Sequence, residues 1–439
     1  MASAQTTERS IVQHAEFSPP LSPTTRIDLS VLQQYVDSLT VLHLGPMTHA
    51  AFVAADVPML LVRTMPQLAE LKLVLVPSSA GSGTMLPQIL IRPERLPALH
   101  SLHIEGATLR CESLSQLKRL ELRNTVFAPL GHTFDEFLTM LATGEALEEL
   151  VLENYIGRMG AGDSTPFHFP LATCKTAYVK DTTQNLYRLL AHLSEPPEDT
   201  RLAVSFAAGI PSALDILPLK GAVPPLQQPV QCATFQFVSD GAQLICAGWK
   251  HKITIEHCSG TPVTVLGNAS SSVHSVALVV LMRFLAFMPV STLEIADATE
   301  GINLQEWFDL LVLTPNVREL FIKQPIEGPG RVVSNIVTAL ASFSGQAVES
   351  PVKCPHLKDV KVRGTVYSPW LIDVIGQSAK WRAQYRAPLR SLELVLAPRF
   401  NGMPHCEFAS DAARDWAAKL QVDKYVGRVV VKDAIIRSF

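Results

Sequence analysis

The chain writes one short pattern, apolar-x-x-Leu-x-apolar, many times over, and this repetition limits its fold more than any other feature. "LTPNVRELFIKQP", residues 313–325, carries Val317, Leu320 and Ile322 at the same spacing as Leu147, Leu150 and Leu152 in "TGEALEELVLENY", residues 143–155. Further copies occur at Leu39-Leu42-Leu44, Leu68-Leu71-Leu73, Leu99-Leu102-Ile104, Leu117-Leu120-Leu122 and Cys174-Ala177-Val179. The second half adds Val290-Leu293-Ile295, Leu357-Val360-Val362, Leu389-Leu392-Leu394 and Val426-Val429-Val431. The central residues Leu42, Leu71, Leu102, Leu120, Leu150 and Ala177 are 29, 31, 18, 30 and 27 residues apart. From Leu293 onward the steps are 27, 40, 32 and 37. A period of that size signals stacked repeats.

The segments before the strands read as helices. Phe134, Phe137, Leu138 and Leu141 share one face at i, i+3, i+4, i+7. The same spacing holds for Leu186, Leu189, Leu190 and Leu193, for Leu304, Trp307, Phe308 and Leu311, and for Ala413, Trp416, Ala417 and Leu420. In all four, helix start to strand centre is 16 residues, which places a degenerate strand centre at Leu202. Thr133-x-x-Glu136 and Asn303-x-x-Glu306 have capping-box spacing. A strand and a helix with facing apolar sides cannot bury those sides alone, whereas stacked copies can. At about 25 cal/mol per Å² of apolar surface, stacking stabilises what a single unit cannot.

This pattern resembles the leucine-rich repeat in its longer strand–helix form, from about residue 39 to the end. The resemblance implies an α/β solenoid, with a curved parallel sheet on the concave side and helices on the convex side. The family's turn Asn is absent: the corresponding positions include Ala107, Thr125, Tyr155, Thr182, Ala298, Pro325, Thr365, Ala397 and Ala434. That departure, with the irregular lengths, is similar to the divergent repeats of fungal F-box/leucine-rich-repeat proteins. Such a relationship implies the substrate-recognition arm of a ubiquitin-ligase adaptor. An F-box needs roughly forty residues of helix before the repeats, and residues 1–38 do not supply it. The chain is therefore not expected to bind the ligase adaptor tightly.

Four regions are expected. Residues 1–28, with "SPPLSPTTR", read as a disordered tail, in which Ser18-Pro19 and Ser22-Pro23 have the form of proline-directed phosphorylation sites. A first arc spans 29–207. Residues 208–275 break the pattern: five prolines fall between 211 and 229, then "TFQFVSDGAQLICAG" and "HKITIEHCSGTPVTV" alternate like hairpin strands with Asp240-Gly241 at a turn. A second arc spans 276–439.

Net charge is −3, so no basic bias points to nucleic acid or an anionic membrane. Seven scattered cysteines form no C-x-x-C pair, and no signal peptide is visible, which reads as a reduced, intracellular protein, cytoplasmic or nuclear. On that reading the acceptor sequence at Asn268 carries little meaning. The most apolar stretch, 276–290, is broken by Arg283 and Pro289 and reads as a buried helix.

No phosphate loop, nucleophile elbow or dinucleotide fingerprint is present. His100, His103 and Cys111, and separately His251, His257 and Cys258, hold ligand-type side chains without a complete metal set. No enzyme, cofactor or metal is expected; a metal-dependent enzyme ranks behind a protein-binding solenoid and a free-standing scaffold. Alternation sends the residues between the apolar ones to the concave face. The candidate protein-binding residues there are Arg119, Arg123, Tyr178, Lys180, Glu319, Phe321, Lys323, Asp359, Lys361 and Arg363. Phe321 is the telling member, a large ring at an outward position, with Arg363 expected close enough to stack on it or to engage a partner carboxylate.

Overall fold

A computed structural model describes residues 14–17, 35–76, 88–111, 113–123, 133–156, 169–171, 173–195, 197–204, 231–238, 241–247, 252–258, 273–285, 289–298, 301–328, 330–341, 352–366, 369–397 and 409–433. Chain contacts divide it into two compact units, Met1–Gly209 and Ile210–Phe439. Both are mixed α/β, built on a mostly parallel sheet.

In the first unit the sheet runs β1 (His14–Phe17), β2 (Val41–Thr48), β3 (Glu70–Val76), β5 (Ser101–Glu105), β7 (Arg119–Arg123), β8 (Glu149–Glu153), β10 (Thr176–Asp181) and β12 (Asp199–Val204), with neighbours parallel. Two small parallel pairs stand apart: β4 (Gln88–Ile91) with β6 (Thr108–Cys111), and β9 (Phe169–Pro170) with β11 (Leu193–Glu195). The helices are α1 (His49–Ala54), α2 (Val57–Leu61), α3 (Phe134–Ala142) and α4 (Thr183–His192). Within the stretch expected as a tail, His14–Phe17 pair in parallel with β2. Ser18 and Ser22 lie outside the described residues, as do the prolines at 211–229 and Asn268.

The second unit begins with an antiparallel meander, β13 (Cys232–Val238), β14 (Gly241–Ala247) and β15 (Lys252–Cys258). On its other edge β13 pairs in parallel with β16 (Thr292–Ala296). The parallel series continues through β17 (Glu319–Gly328), β18 (Asp359–Val366), β19 (Leu389–Ala397) and β20 (Val426–Asp433). Helices α5 (Val273–Leu285), α6 (Leu304–Leu313), α7 (Gly330–Ala341), α8 (Pro369–Gln384) and α9 (Ala409–Lys419) pack each on the next.

The repeat centres sit side by side. Leu42, Leu71, Leu102, Leu120, Leu150 and Ala177 are register partners in sequence, as are Leu293, Leu320, Val360, Leu392 and Val429. Leu71, Leu102, Leu120, Leu293 and Leu320 are wholly buried, and so are the leading residues Leu39, Leu68, Leu147 and Leu357. Several leading residues close a turn by donating their N–H to the carbonyl three residues before: Leu99 to Leu96 at 3.1 Å, Leu117 to Leu114 at 2.9 Å, Leu357 to Cys354 at 2.9 Å. Two N–H groups at each strand start then converge on one carbonyl of the preceding repeat, as Arg318 and Glu319 do on Ser291. A Pro often follows the first turn residue (Met65-Pro66, Leu96-Pro97, Thr314-Pro315, Cys354-Pro355), where its fixed φ suits the turn.

Two local expectations are corrected. The degenerate strand is centred on Thr200, not Leu202: Thr200 pairs with Ala177 and Leu202 with Val179. Pro197 and Thr200, both buried, stand in the leading and central positions, and neither reads as a hydrophobic repeat residue. In α6 the buried face is Trp307, Leu310 and Leu311, while Leu304 at the first turn is exposed. Both capping boxes form, with Thr133 N–H donating to Glu136 at 2.7 Å and Asn303 N–H to Glu306 at 2.9 Å.

Candidate functional site

Strand alternation leaves one face of each sheet to the residues between the buried ones. In the first unit that face is a network of charges that satisfy one another. Glu121 sits at its centre, on an outward position yet only 5% exposed, because neighbouring side chains cover it. His103 Nδ1 lies 3.0 Å from its carboxylate and Arg119 Nη2 3.3 Å, with Arg123 Nε on the other oxygen. The hydrogen bond from His103 outweighs burial and, with the charge of Arg123, holds the Glu121 carboxyl down to about 2. Arg123 also reaches Glu153 at 3.1 Å, and Lys180 meets Glu153 at 2.7 Å. Arg119 pairs with Glu149 at 3.5 Å. A cleft of about 620 Å³ beside this network is lined by His43, Lys72, His103, Glu105, Glu121 and Arg123 together with Gly45, Pro46 and Val74. Of the expected binding residues, Arg119, Arg123 and Lys180 are therefore engaged within their own sheet. Tyr178 is half-buried, opposite Val151 on β8 and Arg201 on β12.

The second unit is different. Glu319, Phe321, Lys323, Asp359, Lys361 and Arg363 all lie on β17 and β18, in the expected phase. Lys323 pairs with Glu294. Lys361 reaches Glu393 at 2.9 Å and Lys432 reaches it at 3.2 Å. The hydrogen bond from Lys361 is the main cause that holds the Glu393 carboxyl below its ordinary value. Asp359 accepts from Ser391 at 2.6 Å and from Arg390 Nε at 3.0 Å, and these bonds outweigh the upward push of burial. Arg363 is exposed, and among the described residues its guanidinium has no ion-pair or hydrogen-bond partner.

Glu294, Phe321, Ile322, Lys323, Lys361 and Arg363 line a cleft of about 230 Å³. Phe321 is half-buried and gives the cleft an aromatic wall. Among the described residues no cation–ring contact joins Phe321 and Arg363. The register sets Lys361 directly opposite Phe321, and Arg363 opposite Lys323. Arg363 is thus a diagonal neighbour, roughly 7–8 Å away, a separation that aromatic and long side chains can still span.

Cys111 donates to the Ser113 carbonyl at 2.8 Å, and His103 is held by Glu121. His251 and the side chains of His257 and Cys258 lie outside the described residues. Among the described residues no three His, Cys, Asp or Glu side chains form a metal-holding group. Burial pushes Cys174 and Cys354 up to about 11 and Cys246 up to about 12, so these thiols stay protonated near neutral pH. Among the described residues no helix is long and apolar enough to cross a membrane.

The unsatisfied state of Arg363 was not legible in the sequence, because Glu393 and Glu294, which engage its lysine neighbours, come from other repeats. A signal was nonetheless present: a ring and three cations fall on adjacent strands of one face, against a single carboxylate in the cleft lining. Comparison with protein-family models finds no match, and comparison with curated protein sequences finds none either.

Proposed function

We propose that the chain is a non-catalytic leucine-rich-repeat solenoid that binds another protein on the strand face of its second unit. Support for the repeat reading comes from the register, which pairs Leu293, Leu320, Val360, Leu392 and Val429 across five successive strands. The binding reading is carried by one observation: a ring and a guanidinium unpaired among the described residues share an open cleft, while every other cation lining it is already matched. An aromatic and an Arg are the side chains that most often anchor an interface, and leaving both half-used on a soluble surface has no benefit to the core. In this reading the chain serves as the recognition arm of a larger assembly, the role its resemblance to F-box/leucine-rich-repeat proteins implies.

Replacing both Phe321 and Arg363 with Ala should weaken capture of protein partners from cell extract by more than tenfold. The thermal midpoint should stay within about 4 °C, since neither side chain is a core member. Unchanged capture with an unchanged midpoint would remove this face from consideration.

A further inference from the structure

Resting on that reading, we propose that the cleft takes an extended acidic segment of a partner, with the order apolar-x-Asp/Glu. The apolar side chain packs on Phe321, and the carboxylate two residues on meets Arg363.

The charge balance selects the sign of the ligand. The lining holds Lys323, Lys361 and Arg363 against Glu294 alone. Glu294 is taken by Lys323, and Lys361 is taken by Glu393 from β19. What remains is one guanidinium with five donors and no acceptor. A carboxylate matches that fork with two parallel hydrogen bonds. A basic ligand would meet three cations at close range.

Spacing selects the order. Phe321 and Arg363 are separated by two residues along the strand and one strand across. That diagonal is roughly 7–8 Å. In an extended chain, side chains on the same side recur every two residues, roughly 6.6 Å apart. A helix sets its same-side neighbours three or four residues apart at roughly 5–6 Å, shorter than this diagonal. A lone phosphate could satisfy Arg363 but would leave the Phe321 wall bare, and its charge would gain little from an aromatic neighbour.

The test is selection from a phage-displayed library of random twelve-residue peptides on the immobilised full chain. Peptides with an apolar residue two positions before Asp or Glu should be enriched. Selection on an Arg363→Ala chain should lose the acidic preference and keep the apolar one; Phe321→Ala should do the reverse. In a synthetic peptide of the enriched motif, Glu→Gln should weaken binding about tenfold on the wild-type chain and hardly at all on Arg363→Ala. No enriched motif, or the same acidic motif on both chains, would overturn the proposal. So would Arg363-dependent binding of a labelled single-stranded oligonucleotide with no peptide enriched. If extract capture still depends on Phe321 and Arg363 while no acidic motif emerges, the protein-binding reading stands and this ligand chemistry falls.

Discussion

Arg382 is the most demanding single residue in the second unit. Its side chain is fully buried, and it sits on α8 facing the turn before β18. Nη1 donates to the Lys353 carbonyl at 2.8 Å, and Nη2 to the carbonyls of Cys354 at 3.0 Å and Leu357 at 3.3 Å. Burial pushes its guanidinium down to about 10, so it remains charged at neutral pH. Cys354 takes a left-handed φ of 46°, and its carbonyl and thiol are both engaged, the thiol donating to Leu311 and Thr314. Arg382 thus gives the Cys354 carbonyl a second donor beside the Leu357 N–H, and supplies donors to the Lys353 and Leu357 carbonyls. Arg382→Met keeps most of the volume but takes the guanidinium donors away from three carbonyls, and should cost about 2–4 kcal/mol in urea unfolding. Arg382→Lys should recover little, because an ammonium cannot reach three acceptors from one fork. Glu121 gives a second residue-scale test, this time through pH. Its folded value of about 2 lies below the ordinary 4.5, so the native state holds the proton less tightly than the unfolded one. The resulting stabilisation, on the order of 3 kcal/mol, is fully present above pH 4.5 and is lost as pH falls toward 2. Glu121→Gln should be less stable at pH 7, and the gap should close across that window. A gap that stays constant down to pH 2 would mean the ion pairs contribute nothing.

At the scale of the element, four of the described strand ends share a device. The residue two positions after the second buried strand residue takes a left-handed φ: Gly106 at 73°, Asn154 at 50°, Asp297 at 56° and Gly364 at 81°. In this conformation the N–H turns toward the next strand, and Gly106, Asn154 and Asp297 donate to the carbonyls of Arg123, Lys180 and Lys323. At Gly364 a Cβ would also collide with the carbonyl oxygen of Gln324. Gly364→Ala should therefore lower stability by more than about 2 kcal/mol, through strain and collision together. Asn154→Gly, at the matching position, should change it by less than about 1 kcal/mol, since Asn already tolerates the region. Equal effects at the two sites, read by thermal unfolding, would show that backbone approach is unimportant here.

For the molecule as a whole, pairing each strand with its sequence neighbours makes stability local. Leu320 is wholly buried between Leu293 and Val360. Leu320→Ala should cost about 2–5 kcal/mol. Its effect on hydrogen exchange should appear first in β16, β17 and β18, because nearest-neighbour stacking carries most of the coupling. Uniformly faster exchange in β2 through β10 as well would indicate a single cooperative unit instead.

The repeat strands and their register against one another were readable along the chain, because a short repeated spacing must place like residues side by side if each repeat is to bury its neighbour's apolar face. Leu71, Leu102, Leu120, Leu150, Leu293, Leu320, Val360 and Leu392 show this directly. The capping boxes were readable for the same reason: their partners are three residues apart. Thr200 escaped because a Thr and a Pro filled positions that the pattern assigns to apolar residues, and only register could identify them. Which charges are spent was beyond any local pattern. Glu393 reaches Lys361 from 32 residues away and Glu294 reaches Lys323 from 29, so the lone state of Arg363 follows from side chains meeting across strands. Arg382 is the same case, since a helix residue holds the carbonyls of a turn 25 to 29 residues earlier. Sequence periodicity determined where backbone lay against backbone; only the packed sheet decided which side chains were left with something still to bind.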